Sequence, residues 1–163
     1  FCFSWTTNAF FVRLNYWPPL RPDFETLTIK EQLPDYLCRS RRITSSKDVN
    51  DLFQHLAQEA KEFFLAIHLD AKNKILCIDQ VSTGSLNASI VHPREVLKST
   101  LLSSAAAIVL VHNHPSGDPT PSREDLELTA RLKDAGDLLG IRVLDHVIIG
   151  SELYLSFSDK GLF

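Results

Sequence analysis

The feature of this sequence that most limits its fold is an unbroken apolar run, AAAIVLVHN, at residues 105–113. A run of this length without polar alternation is typical of a β-strand that is covered on both faces. It is far shorter than the roughly 18 residues that a membrane span requires. We therefore predict a central strand that has structure packed on both sides and that ends at a polar His-Asn-His sequence.

The segments around this run predict further strands and helices. Apolar residues within 49–56 recur at spacings of three and four, which indicates a helix, whereas those within 63–69 alternate, which indicates a strand. The expected fold class is therefore α/β (α+β), with a mixed β-sheet flanked by helices. The predicted helices cover about residues 44–60, 94–103 and 123–139, and the predicted strands cover residues 63–70, 74–84, 105–113, 141–150 and 152–157.

The length and the regularity of the chain predict one folded domain. The chain has 163 residues, which is enough for one sizeable core and short for two. We predict that the domain occupies residues 44–163. Residues 1–43 are predicted to be an N-terminal segment of uncertain order, since Pro18, Pro19 and Pro22 interrupt an aromatic-rich stretch without a clear period.

Charge and cysteine content argue against several kinds of partner. The net charge is -3, without the positive excess from which nonspecific nucleic-acid binders gain affinity, so a nucleic-acid partner stays open but is not supported. Cys2, Cys38 and Cys77 are scattered and form no CxxC pair. This pattern argues against a disulfide framework and a cysteine zinc site, and it favours a cytoplasmic location. We expect no membrane partner, and the oligomeric state is not indicated.

Residue types that bind metals cluster after the central strand. His112 and His114 lie two apart at the strand end, so both imidazoles point to the same face. Asp125 follows a ten-residue polar loop and lies in the first turn of the next predicted helix, so the loop can return its carboxylate to the same place. Three ligands leave one position of a zinc ion for water, as in catalytic sites. Zinc lowers the pKa of such a water to about 7 and polarises a substrate carbonyl.

Each part of this pattern also has a purely structural explanation. A histidine pair at a strand end is commonly ordinary loop chemistry. Ser122 and Asp125 form the sequence S-x-x-D, a capping-box variant that stabilises a helix start without any metal. The combination favours a metal site, because the parts stand together at the end of a buried strand with a Gly- and Pro-bearing loop between them.

The whole pattern resembles the signature of a known family. His-x-His, seven residues, Ser, two residues and Asp is similar to the signature of the JAB/MPN metallopeptidases, also called JAMM proteins. Three stretches resemble the bacterial RadC branch of that family, and the resemblance covers roughly residues 44–163. The stretches are GSLNASIVHPREV (84–96), HNHPSGDPTPSREDLELT (112–129) and LDHVIIG (144–150).

The resemblance implies an architecture and roles for five residues. The implied architecture is the JAB/MPN fold, a three-layer arrangement like that of the cytidine deaminases. It implies that Zn²⁺ is bound by His112, His114 and Asp125, that Ser122 helps to stabilise the oxyanion, and that Glu62 holds the attacking water.

Two assignments have competitors. Glu95 is the alternative to Glu62, although an acid at that place also suits the first turn of a helix. His146 follows Asp145 on a predicted strand, and an Asp can orient a His. We interpret His146 as a structural residue near the site and not as a fourth ligand. The remaining histidines are predicted to be a strand-face residue, a loop residue and a helix residue without a role: His68, His92 and His55.

Two functions from different classes follow. The first is a zinc-dependent metallopeptidase or isopeptidase-like hydrolase that uses a metal-activated water to cleave an amide bond in a peptide or protein substrate. The alternative is a DNA repair or DNA-transaction accessory protein of the RadC type with a non-catalytic metal-binding domain. The complete ligand set together with Ser122 favours the hydrolase. The lack of a basic excess weakens the alternative, and so do residues 1–40, which do not resemble the helix-hairpin-helix region of RadC proteins.

Overall fold

The computed structural model describes residues 41–84 and 91–163. Cys2, Cys38 and residues 85–90 of the RadC-like stretch 84–96 lie outside the described residues, as does nearly all of the predicted N-terminal segment. The elements in chain order are α1 (Ser46–Phe53), a 3₁₀ turn (Gln54–Gln58), β1 (Phe63–Leu69), β2 (Ile75–Thr83), α2 (Pro93–Leu102), β3 (Ala107–Asn113), α3 (Arg123–Leu139), β4 (Arg142–Ile149), β5 (Tyr154–Ser156) and α4 (Phe157–Lys160).

The strands form one mixed sheet in the order β2-β1-β3-β4-β5. β1 is antiparallel to β2 and to β3, β3 is parallel to β4, and β5 is antiparallel to β4. All seven residues of β3 are buried. The predicted central, doubly covered strand and the predicted mixed sheet are therefore confirmed.

Two apolar clusters cover the two faces of the sheet. The first joins Val49 and Phe53 of α1 to alternate residues of β1 and β3. The second joins Val96 of α2 and Leu132 of α3 to the other alternate residues of the same strands. The result is a three-layer domain with α1 on one face and α2 and α3 on the other. None of the described helices combines the length and the apolar character that a membrane crossing needs.

The first helix is shorter than its periodicity predicts. The α-helix ends at Phe53, and a 3₁₀ turn replaces the rest of the predicted helix. Leu56 is still buried within this turn, which explains why its spacing suggested a continuing helix. The tighter winding keeps Leu56 in the core and lets the chain become extended at Glu59, where ψ is 132°. The chain can then enter β1.

The pairing of the strands brings several chain segments to one edge of the sheet. Because β1 and β3 are antiparallel with Phe64 opposite His112, the start of β1 lies beside the end of β3. β4 is parallel to β3 and ends at the same edge, with Ile149 opposite Asn113. The loop after β3 then leads into the first turn of α3. The predicted site residues come from these segments.

Candidate metal centre

His112, His114 and Asp125 converge at the end of β3. The two Nε2 atoms of His112 and His114 are 2.9 Å apart. The Asp125 carboxylate lies beside both, with Oδ1 3.3 Å from His112 Nε2 and Oδ2 3.5 Å from His114 Nε2. His112 is fully buried, whereas His114 and Asp125 are half-buried. His112 therefore lies at the buried side of the group, and the side chains of His114 and Asp125 are partly exposed to solvent.

The start of α3 fixes the carboxylate. Ser122 is the N-cap, and its Oγ accepts a hydrogen bond of 3.1 Å from the backbone N–H of Asp125. In return, the backbone N–H and the hydroxyl of Ser122 each donate to Asp125 Oδ2 at 2.7 Å. The capping box and the ligand cluster are thus not alternatives, because the box holds Asp125 where the imidazoles meet it.

The loop between His114 and Ser122 is anchored near its middle, at Gly117. Gly117 has a φ of 83°, its N–H donates to the His114 carbonyl, and its own carbonyl accepts from the N–H of Ser151. A Cβ added at Gly150 would collide with the carbonyl oxygen of Gly117. The absence of a side chain at Gly150 therefore lets the loop lie directly against the connection between β4 and β5.

The ring of His114 is oriented by a backbone carbonyl. Its Nδ1 lies 2.8 Å from the carbonyl oxygen of Asp118. A carbonyl can only accept, so the proton of the neutral ring is on Nδ1 and the Nε2 lone pair faces His112 and Asp125. A histidine that donates one ring nitrogen in this way presents the other nitrogen as a metal ligand.

The pKa values of this group reflect a compact set of opposite charges. Burial by itself would raise the pKa of Asp125, but the contacts of its carboxylate with the His112 and His114 rings outweigh it and hold that pKa far below its usual range. The hydrogen bond to Asp125 is the largest cause of the raised pKa of His114, which burial opposes and the charge of Glu62 assists. The carboxylate is therefore ionised, and the group attracts a positive charge.

The donor set fits a small divalent cation. Two imidazole nitrogens 2.9 Å apart beside an ionised carboxylate need a positive charge among them, whether a proton or a metal ion. Bonds of 2.0–2.1 Å at tetrahedral angles correspond to ligand separations of about 3.3–3.4 Å. The two nitrogens are 2.9 Å apart, and each has a different oxygen of the Asp125 carboxylate at 3.3 or 3.5 Å. With one ligand atom taken from each residue, the three atoms lie within 4.8 Å of one another. His112, His114 and Asp125 could therefore hold a metal ion.

Glu62 lies next to this group. It is half-buried and comes immediately before β1, on the strand face that Phe64 shares with His112. Its backbone carbonyl accepts a hydrogen bond of 2.8 Å from the N–H of Gly84. Its carboxylate is near enough to His114 to raise that residue's pKa. The structure thus brings Glu62 to the edge where the side chains of His112, His114 and Asp125 meet.

Asn113 is a site residue that the sequence analysis did not identify. Its side chain is fully buried and points to the opposite face from His112 and His114. Its Oδ1 accepts from the N–H of Phe63 at 2.8 Å, and its Nδ2 donates to the Lys61 carbonyl at 3.0 Å. The amide therefore holds the backbone on both sides of Glu62. The sequence signal for Asn113 is a polar residue at a strand position where the apolar pattern predicts burial. A buried polar side chain needs hydrogen-bond partners.

Glu95 occupies a different place. It lies in the first turn of α2, where its carboxylate contacts Lys98 Nζ at 2.8 Å and Arg94 Nε at 3.3 Å. It is partly exposed, and the hydrogen bond from Lys98 is the largest cause of its lowered pKa. The Glu95 carboxylate is thus paired with basic residues of its own helix, whereas the charge of Glu62 acts on His114.

A comparison with protein families agrees with this arrangement. The family model described as RadC-like JAB domain matches residues 43–162, which include Glu62, the three clustered residues and Ser122. The chain belongs to the RadC-like JAB domain family. The match begins three residues before α1, ends at residue 162 and contains every strand of the sheet.

Curated relatives of this RadC-like JAB domain carry the name UPF0758 protein. One from Geotalea uraniireducens is 59% identical over 122 residues, which are 74% of this chain and 54% of that protein. One from Methanosarcina mazei is 55% identical over 122 residues, which are 74% of this chain and 53% of that protein. The chain thus spans about half the length of the curated relatives that it matches.

The RadC-like JAB domain places His146 behind His112. Its Nε2 lies 2.8 Å from His112 Nδ1, on the side of the ring away from Asp125, so His146 is not among the clustered residues. The prediction of a structural histidine near the site agrees with this position. The predicted orienting partner was wrong, because neighbouring strand residues point to opposite faces. Thr129 contacts the ring of His146, and the Asp145 carboxylate instead accepts from Ser156 and from backbone N–H groups.

The other histidines lie away from the metal centre. His68 is buried on β1, where its Nδ1 is 2.8 Å from the Ser103 hydroxyl and 3.2 Å from Cys77 Sγ. Burial lowers the pKa of His68 to about 4. His92 is the N-cap residue of α2, and His55 lies in the 3₁₀ turn. The structure shows none of these three beside the clustered residues.

Proposed function

We propose that this RadC-like JAB domain is a zinc-dependent metallopeptidase or isopeptidase-like hydrolase that cleaves an amide bond in a peptide or protein substrate. The observation that carries the proposal is the three-residue group, in which His114 and Asp125 are partly exposed, with the Glu62 carboxylate beside it. A structural zinc site is usually closed by a fourth protein ligand. Among the described residues, the group has only His112, His114 and Asp125.

The donor set supports zinc as the metal. Two imidazole nitrogens and one carboxylate suit Zn²⁺, whereas Mg²⁺ and Ca²⁺ prefer ligands that are all oxygen. When bound, Zn²⁺ would supply a Lewis acid that polarises the substrate carbonyl and lowers the pKa of a water.

Glu62 is the proposed general base. Its carboxylate accepts a proton from the attacking water while the water oxygen forms a bond to the amide carbon. The same carboxylate then delivers the proton to the amine nitrogen as the carbon–nitrogen bond breaks. The hydrogen bonds between the Asn113 side chain and the backbone of Lys61 and Phe63 support this role, because a base must be held within reach of the proton that it takes.

Ser122 is the proposed donor to the oxyanion. Its hydroxyl donates to Asp125 Oδ2, and its oxygen is also held by the N–H of Asp125. The hydroxyl can rotate about the Cβ–Oγ bond while the oxygen keeps the second contact. Rotation turns the proton from Asp125 toward the developing negative charge, and such donors stabilise the transition state strongly.

The Glu62→Gln variant tests the proposal. Hydrolysis of a peptide and isopeptide library should fall by about two or more orders of magnitude, while zinc content by elemental analysis stays at the wild-type level. Glu95→Gln is the matched control, since it removes a carboxylate that is paired with Lys98, and it should keep full activity. Loss of activity in Glu95→Gln but not in Glu62→Gln would refute the assignment of the base. Wild-type protein that contains no zinc when prepared without chelators would refute the metal site.

The alternative of a DNA-transaction accessory protein has less support. The family description carries the RadC name, but the net charge of -3 offers no electrostatic basis for nucleic-acid binding. Because the chain spans about half of its curated relatives, the substrate and partners of the whole protein belong to the proposal, as does a cytoplasmic location.

A further inference from the structure

A continuous chain of hydrogen bonds runs behind the metal centre and connects two of its ligands. Thr129 Oγ1 lies 2.6 Å from the backbone carbonyl oxygen of Asp125 and 2.6 Å from His146 Nδ1. His146 Nε2 lies 2.8 Å from His112 Nδ1. The side chains of Thr129, His146 and His112 are all buried. This series of hydrogen bonds therefore begins at the backbone of Asp125 and ends on the ring of His112.

The donors and acceptors along this chain fix the place of every proton. A carbonyl oxygen only accepts, so the single hydroxyl proton of Thr129 goes to Asp125. Thr129 Oγ1 must then accept from His146, which places that ring's proton on Nδ1. An imidazole that carries a single proton on Nδ1 has a lone pair on Nε2. That lone pair accepts the Nδ1 proton of His112, and His112 Nε2 is left without a proton.

We propose that Thr129 and His146 form a relay that sets the tautomer of His112 and holds its Nε2 lone pair toward the metal position. Both are positioning residues, since neither is one of the three clustered residues. The inference rests on the proposed metal site but not on hydrolase activity. The relay fixes the ring of His112, as the Asp118 carbonyl fixes the ring of His114. Both imidazoles thus present Nε2 to the same point.

Aromatic packing keeps the relay dry and rigid. Phe64 stacks on the ring of His112 with centroids 5.8 Å apart, and Phe157 stacks on His146 with centroids 4.7 Å apart. Water that could offer alternative hydrogen bonds is thereby displaced from the two faces of the relay. In such surroundings solvent does not replace a lost hydrogen bond. Removal of one group of the relay therefore leaves its neighbour without that partner.

A second Thr–His pair in the same fold provides a control. Thr100 Oγ1 donates to the carbonyl of Val96 at 2.7 Å and lies 3.4 Å from Nε2 of the buried His68. As in the relay, the threonine bonds the carbonyl four residues before it in its helix. The contacts of His68 lead to Ser103 and Cys77 and reach no residue of the metal centre.

Three variants of the full chain test the relay. Thr129→Val removes the hydroxyl at nearly constant shape, Thr129→Ser restores it, and Thr100→Val removes the control hydroxyl. Zinc dissociation constants are measured by competition with a chromophoric chelator. Thr129→Val should weaken zinc binding by about 10–100-fold, the usual scale for a residue that orients a ligand. Thr129→Ser should bind within a few-fold of the wild type, and Thr100→Val should bind like the wild type.

A second readout needs neither metal nor activity. Long-range ¹H–¹⁵N NMR spectra of metal-free protein report which nitrogen of His112 carries the proton. The wild type should show the proton on Nδ1, and Thr129→Val should show a mixture of the two tautomers. If Thr129→Val does not fold, as judged by circular dichroism, His146→Gln replaces it with the same expectations for zinc binding.

Two results would overturn the relay. One is equal zinc affinity in the folded Thr129→Val and Thr100→Val proteins, and the other is wild-type His112 with its proton on Nε2. Failure of the proposed function gives a different result. A protein that binds zinc but hydrolyses nothing leaves the affinity comparison intact, and a protein that binds no zinc still reports the tautomer of His112.

Discussion

The helices α1 and α3 begin with the same capping box but in different surroundings. In α1, Ser45 Oγ accepts from the Asp48 N–H, and the Asp48 side chain accepts from the Ser45 backbone. In α3, Ser122 and Asp125 make the same two bonds. Asp48 is held by donors at its own helix start, whereas Asp125 also meets two imidazoles from β3.

The residue before each N-cap explains much of this difference. Thr44 donates both its backbone N–H and its hydroxyl to Asp48 Oδ2, at 2.8 and 2.7 Å. The corresponding residue before Ser122 is Pro121, which has neither an N–H nor a hydroxyl. Asp125 thus has fewer local donors, and its carboxylate is available to His112 and His114. The S-x-x-D motif alone therefore does not distinguish a structural acid from a ligand.

The largest expected difference between the two boxes is in metal content. Asp125→Asn removes the charge of one of three protein ligands, so zinc should fall from about one ion per chain to nearly none. Asp48→Asn changes the same atom in the other box and should retain zinc fully. Elemental analysis of both purified variants measures this effect. Equal zinc content in the two variants would show that Asp125 is only a capping residue.

The two cap serines should differ in turnover and not in stability. Ser45→Ala and Ser122→Ala should each lower the free energy of unfolding by about 1 kcal/mol, the usual loss for a helix cap. Only Ser122→Ala should also lower kcat, by about 100-fold, the scale for one oxyanion donor. Urea unfolding, kcat and zinc affinity are measured on both variants. If Ser122→Ala loses stability but keeps its kcat and zinc, Ser122 has no catalytic role.

Changing Pro121 should make the α3 box behave more like the α1 box. Pro121→Thr adds the two donors that Thr44 supplies in α1, and they compete with the metal for the Asp125 carboxylate. Zinc affinity should fall by about 10-fold, which corresponds to ~1.4 kcal/mol. Pro121→Ala adds the N–H alone and should have a smaller effect. The dissociation constants are compared by chelator competition. Wild-type affinity in Pro121→Thr would mean that the preceding residue does not determine the ligand's availability.

The smallest expected effect is a pH dependence in the α1 box. The Thr44 hydroxyl is the largest cause of the lowered pKa of Asp48. A carboxyl with a lowered folded pKa stabilises the fold above its unfolded pKa of about 3.9, and this stability is lost as the pH falls through the folded pKa. Solvent screening limits the contribution to a few tenths of a kcal/mol. The difference in unfolding free energy between wild type and Asp48→Asn should therefore shrink between about pH 7 and pH 2. A difference that stays constant would contradict this linkage.

Local signals explain which elements the sequence predicted well. α3 was predicted from Arg123 to Leu139, because Ser122 marks its start and Gly140, with a φ of 72°, marks its end. β3 was predicted because a fully buried strand lacks polar alternation. α1 has a start signal but no end signal, and Leu56 keeps the helical spacing within the 3₁₀ turn. The end of α1 was therefore misplaced.

The surroundings of the ligands depend on tertiary pairing that no local pattern contains. His146 reaches His112 because β4 lies parallel to β3 with Leu110 opposite His146. The same strand order could not be derived from a list of predicted strands. Thr129 was simply one more residue of a predicted helix. Its contact with His146 depends on how α3 packs on the sheet, so the clustering of His112, His114 and Asp125 was predictable and their supporting residues were not.

The close approach of Gly117 and Gly150 determines when the loop loses its conformational entropy. The loop from His114 to Asp125 is anchored near its middle, so its freedom is lost as the chain folds and not as an ion arrives. For an incoming ion, the side chains of His112, His114 and Asp125 would then be a preorganised chelate, with each side chain already at a high effective concentration relative to the others. A side chain at Gly150 would detach the loop and transfer this entropic cost to ion capture, although all three ligands would still be present.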